Sequence, residues 1–315
     1  MSTTPPLPAV QTDNLTRIYG TMTALKALNL TVNRGDLFGF IGSNGAGKTT
    51  TLRLLATFLT PSAGAAMVLG HNVVTDADVV RRKIGYMPDF FGVYKDMEVT
   101  EYLDFFGACY RIPSGKREQT VKDVLELVGL TEKRGALIGA LSRGMQQRLG
   151  LARVLVHDPE LLLLDEPASG LDPRARIEMM AILEELQRLG KTIIISSHIL
   201  SELEALCNRV AIIERGELIY SGPTQGAELR GAHRVFRVKA APDLARAAEV
   251  LRTRPEVKDV EVLEDHLKVT LQGSDPEPSV IAEALISNGC KLHELREEEM
   301  GLEEVFLRVT KGDTQ

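Results

Sequence analysis

Short segments of two kinds follow one another along the first part of the chain. NLTRIYG (14–20) reads as a strand entering a turn, and LKALNLTV (25–32) alternates apolar with polar positions as a half-buried strand does. DLFGFIG (36–42) is a short apolar run closed by glycine, the mark of a strand buried on both faces. KTTTLRLLATFL (48–59) has helical spacing and stops at PSAG. From about residue 76 to 157 the pattern is mostly helical. LLLLD (161–165) and TIIIS (192–196) are again continuous apolar runs, separated by the amphipathic helix RARIEMMAILEELQRLG (174–190) that Gly190 closes. SELEALCN (201–208) reads as a helix and RVAIIERGELIYSG (209–222) as a hairpin about Arg215-Gly216. Buried strands alternating with helices predict an α/β core with a mainly parallel sheet.

Composition shifts between Pro223 and Gly231. Beyond it HRVFRVKA, LARAAEVLRTR, the strand pair VKDVEVLEDHLKVTL, PSVIAEALISNG and KLHELREEE run strand, helix, two strands, helix, strand. That βαββαβ order predicts a small ferredoxin-like α+β domain. MGLEEVFLRVT (300–310) reads as a final short helix. The division is therefore residues 1–230, with a helical subdomain at about 90–157, and residues 231–315. Two domains suit 315 residues.

Charge adds one distinction. The net charge is -6, and residues 231–315 carry 12 basic against 17 acidic side chains, while 1–230 are nearly balanced. Neither part has the basic excess of a nucleic-acid binder, so no nucleic-acid partner is expected. No run approaches the roughly 18 apolar residues of a spanning helix, and MSTTPPLPAV has neither the charge nor the apolar stretch of a signal peptide. Cys109, Cys207 and Cys290 lie far apart with no CxxC pair, which argues against a disulfide framework or structural zinc and fits a reducing compartment.

GSNGAGKT (42–49) fits G-x-x-x-x-G-K-[ST] between a buried strand and a helix. Glycines at such a loop let backbone N–H groups close around phosphates, and the helix N-terminus adds positive potential. Gly42, Ser43, Asn44, Gly45, Ala46, Gly47, Lys48, Thr49 and the following Thr50 are the candidate nucleotide-binding residues. Lys48 reaches the β/γ-phosphates and Thr49 can ligate Mg²⁺. LLLLDEP (161–167) ends a buried strand with two carboxylates: Asp165 can hold Mg²⁺ through water, and Glu166 can polarise an attacking water as general base. LSRGMQQRL (141–149), taken alone, is an N-capped helix. His71, His157, His233, His266 and His293 have no ligand-like spacing. Arg81-Arg82-Lys83 reads as a solvated helix face and Glu297-Glu298-Glu299 as a surface turn.

The phosphate loop, LSRGMQQ, LLLLDEP, SGLD (169–172) and His198 stand in the order and spacing of ATP-binding cassette (ABC) ATPases, over most of residues 10–225. The chain resembles that family, with LSRGMQQ where the family has its LSGGQ signature. The resemblance implies a P-loop ABC core, ATP and Mg²⁺ as ligands, and a cytoplasmic subunit peripheral to the membrane through a transmembrane permease. It implies that Tyr19 stacks on adenine and that His198 contacts the γ-phosphate. Ser142 and Gly144 would contact the γ-phosphate held by a second ATPase subunit, a copy or a homologue, and Asp172 would lie in the loop crossing to it. Each chain has one of each motif, so two chains would sandwich two ATP.

The chain departs from the family pattern at two places. IGYMPD (84–89) puts Asp89 where the family usually has Gln; a carboxylate there can hold Mg²⁺ or water, or serve as a surface residue tuned to the partner. Arg143 and Met145 add bulk to the signature, in a form that resembles the ATPases of drug, polysaccharide and lipid exporters. The function implied is an ATP-hydrolysing subunit that energises an exporter through ATP-driven dimerisation. The alternative is a soluble ABC ATPase acting on a macromolecular complex. DNA-repair members insert long coiled coils between phosphate loop and carboxylate strand, whereas Lys48 and Asp165 are only 117 positions apart.

Overall fold

The alternating segments at the start of the chain build one sheet, and the continuous apolar runs build another. In the computed structural model, which describes residues 7–90, 92–224, 233–241, 243–272 and 277–298, the first comprises β1 (Val10–Tyr19), β2 (Met22–Leu28) and β3 (Thr31–Val32). After β4 (Leu37–Ile41) and α1 (Lys48–Leu55), β5 (Ala63–Val68) and β6 (His71–Asn72) return to it. Its order is β2-β1-β5-β6, with β3 also paired to β1, and these strands pair antiparallel throughout.

The second sheet is completed by β7 (Ile84–Met87), β8 (Leu161–Asp165), β9 (Thr192–Ser197), β10 (Arg209–Glu214) and β11 (Glu217–Pro223), in the order β11-β10-β4-β9-β8-β7. From β10 to β7 all pairs are parallel. β4, β8 and β9 are buried at every residue, which is why they read as unbroken apolar runs rather than alternating ones. β11 folds back on β10 through Arg215-Gly216, both at positive φ (48° and 81°) as a tight two-residue turn requires.

One core cluster joins the two sheets: Leu15, Leu25 and Leu28 from the antiparallel sheet, Leu52, Leu54 and Leu55 from α1, and Phe38, Phe40, Leu163 and Ile194 from the parallel sheet. α1 therefore lies between the sheets, and its first residues stand at the tip of β4. The remaining helices are α2 (Ala77–Lys83), α3 (Val99–Cys109), α4 (Ser114–Leu127), α5 (Arg143–Leu155), α6 (Pro173–Arg188) and α7 (Leu200–Leu206).

The stretch 76–157 is mostly helical, as expected, and also holds the edge strand β7, parallel to β8. One expectation needs correction here. The helix after the phosphate loop stops at Leu55, four residues short of the periodic pattern; Thr57 turns to φ 65°.

The chain divides between Ser221 and Gly222 into two compact units. The second contains β12 (His233–Ala241), α8 (Leu244–Arg252), β13 (Val257–Val262), β14 (Leu267–Gln272), α9 (Ser279–Ser287) and β15 (Lys291–Glu298). Its sheet runs β13-β14-β12-β15, all antiparallel, around a core that includes Phe236, Leu251, Val269 and Leu285. This is the βαββαβ arrangement read from the sequence. Glu297 is a strand residue rather than part of a surface turn: both its oxygens meet the Arg234 guanidinium, at 2.9 and 2.6 Å. The helix read over 300–310, Glu299 and most of the 223–231 shift lie outside the described residues.

Candidate active site

β4 delivers the chain into the loop Gly42–Gly47, and α1 begins at Lys48. Gly47 has φ 112°, and a Cβ there would sit 2.8 Å from the Ala24 carbonyl oxygen, so only glycine closes this loop onto the helix. Thr51 N–H donates to the Gly47 carbonyl at 2.9 Å. The N–H groups of the preceding helical residues are thus left for an external acceptor, as at any helix start. Lys48 is 6% exposed, and its Nζ donates to the carbonyls of Gly42 (2.6 Å) and Ser43 (3.3 Å). The ammonium is held over the loop rather than out in solvent.

The tip of β8 faces it. Glu166 Oε1 lies 3.5 Å from Lys48 Nζ, and Glu166 Oε2 lies 2.8 Å from His198 Nδ1. A buried ammonium and a largely buried carboxylate compensate each other, so neither is an isolated charge. Glu166 adopts φ 50°, a left-handed conformation uncommon for a residue with a side chain. Its N–H is held by Ser196, donating to Oγ at 3.0 Å and to the carbonyl at 3.2 Å. The same Ser196 hydroxyl donates to Asp165 Oδ1 at 2.6 Å. Behind the site, burial pushes the Glu202 carboxyl up, and the ion-paired Arg176 at 2.9 Å opposes this.

A cleft of about 380 Å³ collects most of the candidates. Tyr19, Ser43, Asn44, Gly45, Gly47, Lys48, Thr49, Thr50, Asp89, Glu166 and His198 line it. Gly42, Ala46 and Asp165 are buried beneath its wall. Tyr19 is 36% exposed with the Arg17 guanidinium 4.7 Å from its ring centre, so one aromatic face is already covered by a cation. Ser142 and Gly144 stand elsewhere, at the start of α5, and Asp172 caps α6 by accepting from Ala175 N–H at 3.0 Å. Three residues were not singled out for the cleft: Met22, Ala24 and Ser169 also line it. Ser169 could have been found, since it opens SGLD. Ser196, which holds both carboxylate residues, gave no motif signal beyond a polar residue ending a buried run.

Mg²⁺ fits these residues. Asp165 is 1% exposed, and its Oδ2 has no hydrogen-bond partner among the described residues. Among those residues no group of three or more His, Cys, Asp or Glu forms a metal-binding cluster. A hard cation held by one or two carboxylates and a hydroxyl, and otherwise by phosphate oxygens and water, is the usual Mg²⁺ arrangement.

Free helix N–H groups, a buried ammonium and a carboxylate poised beside it suit cleavage of a phosphoanhydride, and on this sheet they define a P-loop nucleoside triphosphatase. The comparisons narrow this. A model of the ABC transporter family matches residues 25–169. The chain is 34% identical to the bacitracin transport ATP-binding protein BcrA of Bacillus licheniformis, over 97% of this chain and 98% of that one. It is 32% identical to the linearmycin resistance ATP-binding protein LnrL of Bacillus subtilis, over 96% and 98%. The Nod factor export ATP-binding protein I of Burkholderia lata is 36% identical over 98% and 99%. Among solved structures, cbiO1 of Clostridium perfringens, part of the ABC transporter complex cbiONQ, aligns with TM-score 0.63 at 28% identity, covering 69% of this chain and 88% of that one. A cassette in a dimeric post-hydrolysis state with ADP and phosphate aligns with TM-score 0.63 at 25% identity, over 69% and 99%. The chain belongs to the ATP-binding proteins of the ABC transporter family. It binds ATP and hydrolyses it to energise transport.

Proposed function

We propose that this chain powers an exporter, with Glu166 as the general base of hydrolysis. The observation that carries the assignment is Glu166 between Lys48 and His198, at 3.5 and 2.8 Å, on the wall of the cleft. The loop Gly42–Thr50 wraps the phosphates, and Lys48 trades its loop carbonyls for β/γ-phosphate oxygens. Tyr19 offers its free ring face to the adenine. Thr49 and Asp165, with Asp89 at the rim, would hold Mg²⁺, which would supply charge neutralisation for the phosphates. Glu166 takes the proton of the attacking water, and His198 orients that carboxylate while its second nitrogen stays available to the γ-phosphate.

Ser142 and Gly144 do not line the chain's own cleft. They serve the nucleotide of a second ATPase subunit, a copy or a homologue, so that two chains close on two ATP. Among the described residues no helix is long and apolar enough to cross a membrane, so the link to the bilayer is a transmembrane permease on whose cytoplasmic face the ATPase sits. The Nod factor export relative of B. lata, which matches over nearly the whole chain, supports export as the direction.

Glu166→Gln tests the base. It keeps the shape and loses the charge, so ATP binding persists while hydrolysis slows by about 10²-fold or more. An ATP-bound dimer then accumulates and elutes early in size exclusion. Turnover near the wild-type rate would refute the assignment. Lys48→Ala instead weakens nucleotide binding itself.

A further inference from the structure

We infer that Arg143, the bulky residue in the signature, is a positioning residue that ties the start of α5 to the loop carrying Glu166. Arg143 Nη2 donates to the Ser169 carbonyl at 3.2 Å. Its guanidinium lies flat against Gly170, where a Cβ would stand 2.5 Å from Cζ and 2.7 Å from Nη1. Gly170 has φ 66°, so the loop needs glycine there for its backbone and also for this close approach.

The bonded path continues to the base. Ser169 N–H donates to the Glu166 carbonyl at 3.0 Å, and Leu171 N–H to the Ala168 carbonyl at 3.3 Å. Residues 166–171 thus form a hydrogen-bonded turn, with Glu166 at one end and the Arg143 contact at Ser169 and Gly170. Ser169 also lines the nucleotide cleft. The far end of the path is equally fixed. A Cβ on Gly144 would come 2.7 Å from Ala175 Cβ, so the starts of α5 and α6 pack closely. About one turn further along, Arg148 and Glu178 pair at 3.4 Å between the same helices. Arg143 is exposed, yet its backbone is held by this helix pair, and its planar fork meets the loop with a hydrogen bond and a flat contact.

The consequence concerns the chemical step. Arg143 does not line the cleft, so its removal leaves nucleotide contacts intact and loosens the turn that presents Glu166. The inference rests on Glu166 as general base. It also gives the signature a role in its own chain: whatever Ser142 and Gly144 engage in a second subunit is felt at Ser169 through one side chain.

The test uses the full chain with Mg-ATP. Arg143→Ala is expected to leave ATP affinity within about twofold and to lower kcat by about tenfold, the scale on which small misplacements of a catalytic group act. Arg143→Lys recovers part of the loss, since an ammonium keeps a donor but has no flat face. Gly170→Ala impairs the wild-type background more than the Arg143→Ala background, because the collision with the guanidinium has gone; losses that simply multiply would overturn the contact. An unchanged kcat in Arg143→Ala would overturn the inference while Glu166→Gln still reports on the base. Loss of the ATP-bound dimer in Glu166→Gln/Arg143→Ala would assign Arg143 to the partner's phosphate instead, and equally overturn it.

Discussion

Ser196 shows how a single hydroxyl can hold two adjacent carboxylate residues. It is fully buried, donates to Asp165 Oδ1 and accepts from Glu166 N–H. With Oδ1 occupied, only Oδ2 of Asp165 is without a hydrogen-bond partner among the described residues. With its N–H anchored, Glu166 stays in its left-handed conformation. Ser196→Ala strands a buried carboxylate oxygen, which costs about 1–3 kcal/mol of stability. Urea unfolding measures that cost. The kinetic signature is more specific: ATP affinity holds while kcat falls by about ten- to a hundredfold. A parallel fall in affinity would show that the loop, and not the carboxylate pair, had been disturbed. Most of the site was legible as motifs, because glycines, a lysine and paired acids at fixed spacing have few other reasons to occur together. Ser196 was not, since one serine ending TIIIS looks like any strand terminus; its importance comes from the Asp165–Ser196 register of β8 on β9.

Among the elements, the buried strands and amphipathic helices were readable, and the short edge strand β7 was not. Four residues with a glycine inside, directly after the charged end of α2, extend a helical pattern as well as they start a strand. β5, AGAAMV, has a single branched side chain, Val68, among small residues and is recruited by pairing with β1. Strand order lay outside what periodicity encodes, because long crossovers place β9 between β4 and β8. What fixes β7 includes His157, which follows α5. Its Nε2 donates to the Ile84 carbonyl at 2.8 Å, and its ring stacks on Tyr110, at the end of α3, with centroids 3.7 Å apart. Nδ1 is buried and has no partner among the described residues. Protonating it would bury an unpaired N–H, so burial holds the His157 pKa below its ordinary value, against the raising effect of the Ile84 bond. The unfolded chain therefore takes up the proton first. As pH falls below about 6.5, the ordinary histidine value, this residue withdraws stability until the depressed folded pKa is also passed. His157→Gln, which cannot titrate, should show a shallower loss of urea midpoint between neutral and mildly acidic pH. Equal pH slopes in the two proteins would mean that His157 takes up its proton equally in the folded and unfolded chains, and would refute the depressed folded pKa.

Each of the two units has a hydrophobic cluster among its described residues: the buried members of the one joining the two N-terminal sheets run from Ala9 to Ile213, and those of the C-terminal unit from Phe236 to Cys290. The acidic excess also belongs to the second unit, where carboxylates pair with cations on the strands: Arg237 and Lys239 meet Asp265 at 2.9 and 3.1 Å. Hydrogen bonds from His266, and then Lys239, hold that carboxyl well below the usual carboxylate range. Where the chain is cut matters. β11 runs to Pro223 beside β10, and Thr224 is buried. A break at 221 would trim a strand of the parallel sheet, whereas a break after 230 keeps it whole. The chain 1–230 is therefore expected to be soluble and to bind Mg-ATP with near wild-type affinity, measured by calorimetry. Every residue assigned to the nucleotide cleft is retained in it. What should change is association: the Glu166→Gln version of 1–230 is expected to differ from full-length Glu166→Gln in its ATP-dependent dimer fraction by size exclusion. Insoluble 1–230, or soluble 1–230 that cannot bind nucleotide, would show that the C-terminal unit is part of the nucleotide-binding fold. Equal dimer fractions would place its role at the permease and away from the contact between ATPase subunits.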